Sequence, residues 1–456
     1  MARLPNNLFS NLLLPNLLLA LTLPLLTILT PFTLAATTAP PKTVLPLPAL
    51  PLHATSRWIT TSNSTRHKLR CVNWAAHMET HLPEGLQHQP LSSLLDWIPA
   101  QGFNCVRLTY SIEHALNPGR TVGEVFAGEG AAARVGVEEG AWRAVGGRVV
   151  ENNPWIVVGG AEGGSGTVTT REVLGRVVDG LFERGVLTIL DNHVSRASWC
   201  CDLTDGNGWW DEAWGYNTWN SRFFNTKDWL AGLEAMATWG AQHPGVVGYG
   251  LRNELREFLL QDLNGRADWY TFVKKGGDVV HKAHPDALVL VGGVQSSTDL
   301  LHLRSGEAGR MLDTSGWAGK HVWEMHAYSF TVTFPDAFNN CDIVKAQYGA
   351  FVGFVLEQGK PYTGPLILSE FGVGMEGGEF DGLSEKDNRY LNCLVSYMEN
   401  NDADWAVWAI QGSYYVRDGK TDYDETWGLM NRNWTGWRNP AFSAKLGKMW
   451  KMAQQP

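Results

Sequence analysis

The chain has no excess of positive charge, few cysteines and no paired metal-binding motif. Lys and Arg number 37 against 46 Asp and Glu in 456 residues, a formal net charge of −9. That balance makes nucleic acid and anionic lipid poor partners. No pair of CxxC or HxxxH elements occurs, so a structural zinc site is not indicated, and we expect no metal ion and no organic cofactor. Internal repeats and a composition shift marking a second folded domain are also missing. Long apolar runs are absent except at the start. There Leu17 to Leu34 is almost wholly apolar, follows Arg3 and ends at Ala35-Ala36, the tripartite pattern of a signal peptide. Pro24 and Pro31 interrupt the run, and Thr27, Thr30 and Thr33 dilute it, which argues against a retained anchor. Residues 1–36 are therefore expected to be removed on secretion, leaving an extracellular protein away from the membrane.

Hydrophobic residues make up 44% and charged residues 18%, enough for a sizeable core. Tryptophan is abundant, with 21 residues. Its flat apolar face and single donor suit the C–H face and hydroxyl rim of a sugar as well as a packed core. Asn63-Ser-Thr and Asn433-Trp-Thr are possible glycosylation sites, which agrees with secretion. The six cysteines fit an oxidising compartment. A bond between neighbours Cys200 and Cys201 is geometrically awkward, so we expect one of them to pair with Cys341. Residues 37–56 hold five prolines and read as a stiff linker.

From about Arg57 short apolar runs alternate with stretches of helical period. The strand candidates are Leu69–Trp74, Asn104–Leu108, Val186–Leu190, Val246–Leu251, Ala287–Val291, His321–His326, Pro365–Ser369 and Trp405–Ile410. They are near-continuous apolar runs, as expected for parallel strands buried on both faces. Helices are expected from Thr226 to Gln242, Arg266 to Ala283 and Val173 to Arg184, and after a capping pair at Ser384 and Asp387. Eight strands joined by helices or long connections argue for one (β/α)8 barrel over residues 57–456. The Gly- and Ala-rich stretch Asn117–Thr169 shows little core pattern and is expected as a long loop after the second strand.

Active groups of such a barrel stand at the C-terminal ends of its strands. Arg107 lies near the end of the second, Asp191, Asn192 and His193 follow the third, and Asn253 and Glu254 the fourth. His326 and Tyr328 follow the sixth, Glu370 the seventh, and Trp408 lies on the eighth. Two carboxylates on one rim suit glycoside hydrolysis, where one group protonates the leaving oxygen and the other attacks the anomeric carbon. Asp191 is expected to support His193. Glu324 would point the same way as His326 and is expected to serve structure. Trp199, Trp209, Trp210 and Trp214 crowd the loop after the third strand as possible sugar platforms.

The strings Leu251-Arg-Asn-Glu-Leu255, His326-Ala-Tyr-Ser329 and Leu366-Ile-Leu-Ser-Glu-Phe-Gly372 resemble glycoside hydrolase family 5, of the cellulase A type. Arg107 in Val-Arg-Leu, His193 in Asp-Asn-His and Trp408 in Val-Trp-Ala match the same pattern in the same order. The resemblance implies a (β/α)8 fold, retention of configuration and β-linked substrates. It implies Glu254 as acid/base and Glu370 as nucleophile, with Arg107, His193, Asn253, His326, Tyr328 and Trp408 in support. Asp191–Trp210 and Gly412–Tyr415 look like a plant and fungal branch of the family. Leu255 is a departure, since many members have proline there. The expected enzyme is a monomer acting on a polysaccharide or oligosaccharide. The alternatives are a β-mannanase or glycolipid-type glycosidase of the same family, or a carbohydrate-binding protein without turnover, which both carboxylates argue against.

Overall fold

The computed structural model describes residues 42–157, 167–261, 263–264, 266–305, 311–330 and 340–454. Residues 1–41, with the expected signal peptide and the start of the proline-rich stretch, lie outside them.

All eight expected strands are present: β1 Arg70–Trp74, β2 Cys105–Ser111, β3 Leu187–Val194, β4 Val246–Gly250, β5 Leu288–Gly292, β6 His321–Ala327, β7 Leu366–Phe371 and β8 Asp404–Val407. They pair in parallel in chain order, and β8 closes on β1 with Ala406 opposite Cys71. The apolar runs are explained by two cores. One lies between strands and surrounding helices. The other fills the barrel with Cys71, Cys105, Leu187, Ile189, Leu288, Leu290, Val322 and Ile367.

Four crossover helices form where the periodic patterns place them. Helix α1, Thr170–Phe182, opens on a capping box between Thr169 and Glu172, which satisfies end donors that have no partner inside the helix. Asn225, rather than Thr226, caps α2, Thr226–Gly240. Helix α3 spans Ala267–Ala283 and α4 spans Glu385–Asn401, the latter capped by Ser384.

Three expectations are corrected. The proline-rich stretch is not a free linker from Lys42 onward. Leu45 donates a backbone hydrogen bond to Arg184, Lys320 Nζ donates to the Leu52 carbonyl at 2.8 Å, and Leu52 joins the barrel core. Proline content reported stiffness, but Leu45 and Leu52 supply the apolar contacts that seat the segment. Within 117–169, the described residues form helices Val122–Ala127, Ala131–Val135 and Glu139–Asn152. Val122, Val125, Phe126, Trp142, Val145 and Val149 are buried there. Glycine and alanine hid a helical spacing that three large residues, Trp142, Val145 and Val149, were enough to anchor. Residues 158–166 of this insertion lie outside the described part. Finally, Cys341 pairs with Cys393, Cys71 with Cys105, and Cys200 with Cys201. Cys71 and Cys105 are opposed in the β1–β2 register, and the neighbours Cys200 and Cys201 join through a cis peptide with Cα atoms 3.0 Å apart.

Candidate active site

Register sets the site. Between Met325 and His326 the pairing of β6 with β7 slips by one residue, Ser369, and Glu370 comes level with His326. Such a slip re-aims side chains at the end of a strand. On β4, Gly250 leaves room for the neighbouring carboxylate, since a Cβ there would stand 2.5 Å from Asp191 Oδ1.

Arg107, fully buried, organises the centre. Its Nη1 donates to Glu370 Oε1 at 2.8 Å and to Asn73 Oδ1 at 3.1 Å. Its Nη2 donates to Asp191 Oδ1 and Asn253 Oδ1, each at 2.8 Å. Nε lies 3.5 Å from Glu324. One guanidinium fork, carried on β2, thus fixes groups from β1, β3, β6, β7 and the loop after β4. Asp191 Oδ2 stands 2.7 Å from His193 Nδ1, and Asn253 Nδ2 approaches His193 Nε2 at 3.3 Å. The network assigns His193 as a neutral ring that donates from Nδ1 and accepts at Nε2. Trp408 stacks on His193 with ring centres 5.4 Å apart.

Glu254 Oε1 lies 2.9 Å from His326 Nδ1. Tyr328 donates its hydroxyl to Glu370 Oε2 at 3.2 Å, and His326 Nδ1 is 3.7 Å from that oxygen. An oxygen of each glutamate and a ring nitrogen of His326 lie within 4.8 Å of one another. The eight residues Arg107, His193, Asn253, Glu254, His326, Tyr328, Glu370 and Trp408 are therefore gathered in one place. Trp209 and Trp210 are not. Both have no exposed surface, and Trp210 packs on Phe272 and Phe224 at 5.0 and 5.4 Å. They are core residues and cannot stack on a sugar. Trp199 is half-buried and faces Trp408 at 6.5 Å.

Asn73, near the end of β1, belongs to the site and is not among the residues expected from the sequence. Its Nδ2 donates to the Ser369 carbonyl at 2.9 Å while its oxygen receives Arg107. The same rule, a polar residue near the end of a strand, applied to β1 would have found it.

Burial opposes the charge on Arg107, but Asp191, Glu324 and Glu370 outweigh it and keep the guanidinium ionised. Burial, reinforced by Arg107 and His326, holds His193 well below its ordinary value. His326 is buried too, yet Glu370 and Glu254 raise it. The two glutamates titrate as a coupled pair. Burial raises Glu370 against the pull of His326 and Arg107. Burial also works on Glu254, but the His326 hydrogen bond and charge, with Arg256, hold it low.

Two clusters among the described residues have ligand atoms close enough for a metal ion. In Cys200, Cys201 and Glu254 the sulfurs are bonded to each other and offer no thiolate. In Glu254, His326 and Glu370 the ring nitrogen is engaged by a carboxylate.

The family model described as cellulase (glycosyl hydrolase family 5) matches residues 147–413. A relative from Chamaecyparis obtusa, described as a glycosyl hydrolase 5 family protein, is 37% identical over 411 residues, covering 88% of this chain. The chain spans 66% of that relative's length. An endoglucanase of Paenibacillus polymyxa is 20% identical over 392 residues, covering 83% of this chain and 82% of its own. Among solved structures, the catalytic domain of the major endoglucanase from Xanthomonas campestris pv. campestris superposes with a TM-score of 0.62 at 19% identity, over 88% of this chain and 99% of that one. The endocellulase from Pyrococcus horikoshii in complex with cellotetraose gives 0.63 at 17% identity, over 89% and 100%. At those identities the structures share the fold.

Proposed function

The chain belongs to glycosyl hydrolase family 5, and from that premise we propose that it is a secreted, retaining hydrolase of β-linked glycosidic bonds. Glu254 is the acid/base and Glu370 the nucleophile. The observation that carries the reading is the approach of the two carboxylates, with oxygens within 4.8 Å of each other and of His326. Retaining enzymes hold their carboxyl groups about 5–5.5 Å apart, and inverting ones leave about 6.5–9.5 Å for a water.

The neighbours support unequal roles. Glu370 receives Arg107 and Tyr328, donors that favour the ionised form needed for attack. Its oxygen bonds the anomeric carbon as that carbon's bond to the leaving oxygen breaks, and Glu254 gives its proton to that oxygen. Glu254 then takes a proton from water, whose oxygen displaces Glu370. The first step needs the proton on Glu254 and the charge on Glu370. His326 Nδ1 lies 2.9 Å from Glu254 and 3.7 Å from Glu370, so its charge bears on both carboxylates. Asn253 offers its amide to the hydroxyl next to the anomeric centre, and Trp408 an apolar face. No step calls for a metal or organic cofactor. The relatives called endoglucanase and the cellotetraose-bound neighbour make β-glucan polysaccharides and oligosaccharides the first substrates to try, with a single chain acting alone outside the cell.

The test is NMR of the first-formed sugar from a β-linked substrate. A β-anomer is expected, and an α-anomer sinks the mechanism and both roles. Azide sharpens it: Glu254→Ala should give a β-glycosyl azide from the trapped glycosyl-enzyme, and Glu370→Ala an α-azide, because the anion fills the space of the lost carboxylate.

A further inference from the structure

The groups around Glu370 all have a task in this chemistry, whereas the Cys200–Cys201 disulfide, in the loop after β3, has none. Its position is specific. Both sulfurs lie within 4.8 Å of a Glu254 carboxylate oxygen. Asn253 Nδ2 stands 3.7 Å from Cys200 Sγ and 3.6 Å from Cys201 Sγ. Arg256 Nη1 is 3.8 Å from Cys200 Sγ, while Nη2 is held by both oxygens of Asp205 at 2.9 Å. Cys200 is buried and Cys201 half-buried. The site thus has two sides. Arg107, Tyr328 and His193 surround the nucleophile, and the disulfide flanks the group that faces the leaving oxygen.

We infer that the Cys200–Cys201 disulfide is a wall of the saccharide site on the leaving-group side, an apolar contact for the sugar whose oxygen Glu254 protonates. The inference rests on the catalytic roles proposed above. A disulfide suits such a wall for three reasons. Its sulfurs are weak acceptors and do not compete for the proton of Glu254 or for sugar hydroxyls. Its polarisable surface packs against C–H groups. The covalent ring that joins neighbouring residues has no rotamer freedom to lose when a sugar settles on it.

The test compares two substrates with the same glycone, a β-linked oligosaccharide and the matching β-glycosyl fluoride, whose leaving group has no sugar to touch the wall. In the Cys200→Ala/Cys201→Ala variant, kcat/KM for the oligosaccharide should fall about tenfold further than for the fluoride, the scale of one lost apolar contact, mainly through KM. Equal falls, or no fall, would overturn the inference and leave the disulfide as a prop for Asn253 or the loop. A wild type inactive on both substrates sinks the proposed chemistry and this inference with it. An active wild type with an unchanged ratio sinks this inference alone. If the double variant does not fold, Glu370→Ala serves instead. Saturating oligosaccharide should slow phosphine reduction of the Cys200–Cys201 bond about tenfold, read by mass mapping, in proportion to occupancy of the wall. An unchanged reduction rate with bound sugar overturns the proposal.

Discussion

Two layers inside the barrel lie only two residues apart on seven of its eight strands. The lower layer holds Cys71, Cys105, Ile189, Leu290, Val322, Ile367 and Ala406. Two residues further on stand Asn73, Arg107, Asp191, Gly292, Glu324, Ser369 and Trp408, and all but the glycine bury a polar or aromatic side chain. Because side chains alternate along a strand, both layers point into the same space with the same backbone support. The lower layer closes the barrel by removing apolar surface from water, about 1.5–3 kcal/mol for each large side chain. The upper layer buries more acids than bases around one guanidinium, an arrangement that often contributes no net stability and is costly to break from one side. One layer makes the fold and the other keeps its charge for chemistry.

Substitutions can break that division. The largest effect is expected from Glu370→Ala, with turnover down by at least about 10⁴-fold and a melting temperature close to wild type. A large fall in melting temperature would mean that the upper layer also holds the barrel together. Trp210→Ala, in the core beneath the rim, should do the reverse, costing about 3–5 kcal/mol of stability with kcat per folded molecule unchanged. Denaturant unfolding with active-site titration measures both quantities. Replacing Cys71 and Cys105 together by alanine should cost about 2–4 kcal/mol, again without changing kcat, since the bond joins β1 to β2 below Arg107. A changed pH–rate profile in that variant would show that the lower layer tunes the upper.

The smallest expected effect is electrostatic. Glu370 and Glu254 raise His326 above 6.5. Its contribution to stability is then fully present below pH 6.5 and disappears as pH rises through the raised value. NMR titration of labelled histidine should give a His326 midpoint above 6.5 that drops in Glu254→Gln. A wild-type midpoint at or below 6.5 contradicts the assignment of His326 as the charged neighbour of both glutamates.

The barrel and most of its site were legible in the chain. Apolar runs marked all eight strands, because a strand buried on both faces admits few polar residues. Polar residues following those runs marked Arg107, His193, Asn253, Glu254, His326, Tyr328 and Glu370, because a parallel barrel puts every strand end on one rim. The misreadings share a cause. Trp209 and Trp210 read as platforms because abundance of tryptophan says nothing of the direction a ring faces. Residues 42–56 read as linker because proline content does not show that Leu52 finds a core. The insertion read as a loop because three anchors among glycines and alanines make a weak period. Cys341 reads as a partner of Cys200 or Cys201, and bonds Cys393 instead, because pairing depends on distance in space.

Local order along the chain was enough to specify strands, crossover helices and the residues available at each strand end, since backbone geometry ties those properties to spacing of two or about 3.6 residues. Which of these residues meet was settled in three dimensions. The slip at Ser369 brings Glu370 level with His326, Gly250 makes room for Asp191, and Arg107 gathers partners from five separate segments. Those meetings depend on closure of the barrel, and so do the shifts of Glu254, His326 and Glu370, because a charge responds to burial and to neighbours within a few ångströms, whatever their separation in sequence.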